Sequence, residues 1–158
     1  METQTATTQA NLTPAEALIR LQEGNARFVT NRQANRDLMQ QVETTSEGQY
    51  PFAVVLGCVD SRVSPELLFD QGVGDIFSAR IAGNFVNEDI LGSMEFACKV
   101  AGSKLILVLG HSKCGAIMET SWPAATMVLR ILLRYASTKK NVSPSNFKQH
   151  YSRLTRSL

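Results

Sequence analysis

Three short apolar runs limit what this chain can fold into. "PFAVVLGC" (residues 51–58) and "KLILVLGH" (104–111) are apolar and branched nearly throughout, as strands buried on both faces are. "DIFSARIAGN" (75–84) reads as a third strand that runs into a glycine-containing turn. Between them lie helical segments. "SPELLFDQG" can start a helical turn at Pro65 and stop at Gly72, and "NEDILGSMEFACKVAG" reads as a helix ending near Gly102. Strands alternating with helices require crossover connections. The expected fold is therefore α/β, with three layers, α-β-α, around a mostly parallel central sheet.

The N-terminal third is polar. Residues 1–11 read as a disordered leader. In "LTPAEALIRLQEGNARFVTN", Thr13 can cap a helix, Pro14 suits its first turn and Glu16 completes a capping box. Leu18, Ile19, Leu21, Ala26 and Phe28 give that helix a broad apolar stripe. Residues 31–49 read as a loop or short helix. A chain of 158 residues suits one domain with a sizeable core. No run approaches the roughly 18 apolar residues that cross a bilayer. No basic start leads into an apolar stretch, so a secretory signal is not expected. Three widely spaced cysteines do not make a disulfide framework. A reducing, cytoplasmic setting is expected, with thiols free for metal or chemistry.

In parallel sheets, functional groups gather beyond the carboxyl ends of the strands. Cys58 and His111 fall at two such ends, and Cys114 follows His111 at a spacing that lets one turn aim both at one ion. Thiolate and imidazole donors suit zinc. The fourth position is left for water or a carboxylate, and Asp60 is the natural candidate. Strand alternation would give Cys58 and Asp60 a common direction. Taken singly, a buried thiol is ordinary core and Arg62 an ordinary cap or surface ion pair. The joint pattern is far more specific. Cys98 reads as a buried helix thiol and His150 as a solvated residue of a polar tail. No phosphate loop or hydrolase elbow is present, and no nucleic-acid partner is expected.

"CVDSR" followed by "HSKCGA" resembles the β-class carbonic anhydrases, bacterial type. "LQEGNARFV", "FSARIAGN", "SMEFA" and "KLILVLGH" agree with it, over about residues 12–118. The resemblance implies a zinc enzyme that interconverts CO2 and bicarbonate, with Cys58, His111 and Cys114 as zinc ligands. Asp60 and Arg62 match the family's dyad. Asp60 orients the zinc-activated water, and in a closed state takes the fourth zinc position itself. Gln49 sits where the family places a substrate-binding amide, and Phe77 where it places an apolar pocket wall. A homodimer or larger homo-oligomer is implied, its N-terminal helix reaching a neighbour. Two other readings stay open: a non-catalytic zinc-binding remnant of this fold, and a hydrolase of CS2 or COS.

After about Met118 the resemblance stops. All 14 acidic residues lie in positions 1–119, whereas residues 120–158 carry seven basic residues and no acid. Residues 119–158 read as a divergent basic tail, partly helical or disordered. A frameshift, a truncation or a functional tail for an acidic partner or membrane surface would each produce it. The family's C-terminal elements are expected to be missing.

Overall fold

In the computed structural model, which describes residues 3–118, strand β1 (Ala53–Gly57) is buried along its whole length. It lies between two parallel neighbours, β2 (Ile76–Arg80) and β3 (Leu105–Val108), in the order β2-β1-β3. Ala53 is level with Ile76 on one side and Leu105 on the other. The continuous apolar run thus has a direct cause: a central parallel strand is covered on both faces.

Successive side chains of β1 enter different cores. Ala53 and Val55 pack with Leu12, Leu21, Phe69 and Leu107. Val54 and Leu56 pack with Met94, Ala97 and Val108, joined by Phe77, Ala79 and Ile90. The first core is roofed by α2 (Pro14–Val29) and α4 (Pro65–Leu68), the second by α5 (Glu88–Glu95). This is the expected three-layer arrangement. Burying each Val or Leu of β1 contributes about 1.5–3 kcal/mol.

The expected capping box of α2 forms: Glu16 accepts from the Thr13 backbone N–H at 2.7 Å, and Thr13 accepts from the Glu16 N–H at 3.3 Å. The helix is narrower in its contacts than the stripe foretold. Ala17, Leu21 and Gly24 face inward, while Ile19 and Ala26 are exposed. The gap at Gly24 matters, because a Cβ there would fall 1.7 Å from the Phe69 carbonyl oxygen.

Residues 6–11, expected within a disordered leader, are helix α1 (Ala6–Asn11). Its anchor is one buried amide. Gln9 Nε2 donates to the carbonyls of Pro51 and Ala101, both at 2.8 Å. These partners lie 42 and 92 positions away, so polar composition carries no trace of the match. Residues 31–49 contain the short helix α3 (Leu38–Thr44). The segment behind α5 continues as a π turn (Phe96–Val100) and closes at Gly102, whose φ is 80°. No helix among the described residues is long and apolar enough to cross a membrane. The calls on the basic tail, on the loss of C-terminal elements and on His150 fall outside the described residues.

Candidate metal centre

The three strands end almost level. Gly57 is opposite Arg80, and Leu56 opposite Val108. Cys58 is the next residue after β1, and the turn holding His111 and Cys114 follows β3 and leads into α6 (Gly115–Met118). One donor atom from each of Cys58, His111 and Cys114 lies within 4.8 Å of the others. Both thiols are buried, in a small cluster with Val63.

The donor set fits zinc. The two Sγ atoms are 3.8 Å apart. Two sulfurs bound about 2.3 Å from a tetrahedral zinc stand about 3.8 Å from each other. The imidazole is presented for ligation. His111 Nδ1 lies 3.1 Å from the Ser112 carbonyl oxygen, to which it can only donate. That leaves Nε2 with its lone pair, buried and without a hydrogen-bond partner among the described residues. Burial opposes ionisation of Cys58. The neighbouring imidazole and the backbone N–H groups of Asp60 and Gly83 outweigh it, and its pKa falls to about 7. Burial and the adjacent Cys58 push Cys114 up.

Asp60 stands beside this cluster, outside its three donor atoms. Its Oδ2 is 3.9 Å from His111 Nδ1. Arg62 grips it with Nε to Oδ1 at 2.9 Å and Nη2 to Oδ2 at 2.7 Å, and the Arg62 backbone N–H adds a third bond to Oδ1 at 3.0 Å. These bonds hold the carboxyl well below the usual carboxylate range. Arg62 also reaches the Lys113 carbonyl at 3.3 Å, tying the "CVDSR" loop to the "HSKC" turn. Cys58 and Asp60 both lie beyond the end of β1 at Gly57, so strand pleating does not relate their side chains.

Gln49 and Phe77 share no hydrogen bond or core cluster with the three donors among the described residues. Gln49 is exposed on the segment before β1 and makes no hydrogen bond among the described residues. Phe77 is half-buried in the α5-side core, edge-on to Phe96 with ring centroids 6.2 Å apart. Two contributors went unassigned in the sequence. Arg80 donates to the carbonyls of Cys58 and Asp60, and the Gly83 N–H donates to Cys58 Sγ at 3.3 Å. Gly83 has φ 74°, a conformation that favours glycine. The sequence marked Arg80 and Gly83 only as parts of the "FSARIAGN" segment, without a role.

A profile of the carbonic anhydrase family matches residues 53–156, past Met118, where the motif resemblance ends. Carbonic anhydrase 2 of Mycobacterium tuberculosis is 45% identical over 108 residues, covering 68% of this chain and 52% of that protein. The carbonic anhydrase of Mycolicibacterium smegmatis is 44% identical over 111 residues, covering 70% and 54%. The chain thus spans about half the length of these curated relatives. Among solved structures, the β-carbonic anhydrase CcaA is 36% identical, with 64% of this chain and 51% of that one covered and a TM-score of 0.47. The family profile covers well over half of the residues, and on it the chain belongs to the β-carbonic anhydrase family.

Proposed function

We propose that this site hydrates CO2 reversibly to bicarbonate and a proton, with zinc held by Cys58 Sγ, His111 Nε2 and Cys114 Sγ. The observation that carries the reading is the convergence of these three donors from two strand ends, with an ionised Asp60 beside them. Zinc bound there makes water nucleophilic at neutral pH. The chain's own residues supply orientation. Asp60 is kept ionised by Arg62, so it accepts protons in hydrogen bonds and donates none. Its Oδ1 already takes two bonds and its Oδ2 one, which leaves Oδ2 room to accept from the attacking water. An O–H held there turns the water's lone pair toward CO2. Should the Arg62 bonds break, the freed Asp60 carboxylate would serve as a further donor to the metal.

Gln49 as a substrate amide and Phe77 as a pocket wall rest on the family resemblance alone. A homodimer or larger assembly is supported by the exposed apolar side chains of Leu38, Met39, Val42 and Val29. Three free thiols suit a reducing compartment such as the cytoplasm.

The test is zinc content and CO2 hydration of the purified 158-residue chain. One zinc per chain with turnover abolished by Cys58→Ser supports the reading. One zinc without turnover sinks catalysis and leaves a zinc-binding remnant. CS2 consumption without CO2 hydration moves the substrate.

A further inference from the structure

Arg80 ends β2 level with Gly57, the residue before Cys58. Its guanidinium works as a fork on the main chain. Nε donates to the Cys58 carbonyl at 2.8 Å and Nη2 to the Asp60 carbonyl at 2.6 Å. The Asp60 carbonyl takes one further bond, from the Val63 N–H at 3.1 Å, which closes the turn carrying Arg62. Glu66, bonded by Ser64 at 3.0 Å and Ser78 at 2.5 Å, is the acidic neighbour of Arg80.

The two gripped carbonyls belong to residues with different tasks in the proposed site, a metal donor and the orienting carboxylate. Arg62 secures the Asp60 side chain but makes no bond to the Asp60 carbonyl. A planar group with donors at fixed spacing sets the separation of the two carbonyls, which a flexible ammonium with one point of charge does not. We propose that Arg80 is a positioning residue. Through the backbone it holds Cys58 Sγ and the Asp60 carboxylate at the mutual placement that zinc binding and water orientation both need. The inference rests on the zinc reading above.

The experiment compares four zinc-loaded chains: the wild type, Arg80→Gln, Arg80→Lys and Arg27→Gln. The last breaks the Asp70 ion pair on α2 and touches none of the site residues. Zinc dissociation constants are measured by chelator competition, and thiolate-to-metal charge-transfer bands are recorded after Co2+ substitution. Arg80→Gln should weaken zinc binding by about 10- to 100-fold, the range seen when groups that orient a metal's ligands are removed, and shift the bands. Arg80→Lys should fall between it and the wild type, and it carries the test should Arg80→Gln not fold. Arg27→Gln should lose thermal stability while keeping wild-type affinity and bands. Wild-type affinity and unshifted bands in the Arg80 variants overturn the inference, as does an equal loss in Arg27→Gln. A zinc-loaded wild type without CO2 hydration overturns the proposed function alone, and a wild type that binds no zinc overturns both.

Discussion

Arg62 holds Asp60 by both carboxylate oxygens while the Oδ2 of that carboxylate stays 3.9 Å from His111 Nδ1. The acid is thereby held ionised beside the His111 ring. Asp60→Asn retains the shape but replaces an acceptor with an amide that can also donate. CO2 hydration should fall by about 100-fold or more, the usual scale for a positioned proton-accepting group, with one zinc per chain retained. Unchanged turnover in a zinc-loaded variant would remove Asp60 from the mechanism.

A second ion cluster holds the fold. Asp70 bonds Arg27 at 2.5 Å and Arg36 at 2.6 Å, with only 4% of its own side chain and 6% of that of Arg36 exposed. Asp70→Asn keeps the residue's positive φ of 46°, which Asn tolerates, and isolates the charge. It should cost about 3 kcal/mol in urea unfolding at neutral pH. Burial opposes ionisation of Asp70, but the two arginines and the Ala34 N–H outweigh it and lower its pKa from 3.8. Because the folded-state pKa lies below the unfolded one, the stabilisation is complete above about pH 4 and disappears as pH falls through the folded value. The gap between wild type and variant should therefore narrow on acidification. A constant gap would show that charge is not the cause.

Gly24→Ala should destabilise the chain by about 3 kcal/mol through overpacking. The added methyl meets the Phe69 backbone and not a side chain that can turn away. A thermal midpoint equal to the wild type's would mean that α2 does not lie this close to the Phe69 backbone.

Zinc should protect two of the three free thiols. Cys58 and Cys114 face each other at 3.8 Å, and chelation would leave both thiols free to react. Glutathione disulfide can then oxidise the pair to a disulfide, releasing two glutathione thiols. Cys98 should be spared, because burial pushes its pKa up to about 11 and little thiolate forms. A thiol count in denaturant should drop by two after chelation and stay constant with zinc bound. A count that falls equally in both samples would argue against zinc at this pair.

What the sequence determined by itself was local or periodic. Unbroken apolar runs announced strands covered on both faces, Thr13 and Glu16 announced the start of α2, and C-x-D with H-x-x-C placed the donor residues at strand ends. These signals survive because hydrophobic burial and helix capping act within a few residues. Tertiary structure alone decided the rest. The β2-β1-β3 order brings residue 80 beside residue 57. That pairing lets Arg80 grip the Cys58–Asp60 loop, as a similar distant match lets Gln9 pin α1. Each depends on a hydrogen-bond donor meeting carbonyls from distant segments. Backbone carbonyls look alike in every residue, so no residue type marks where such a meeting will occur.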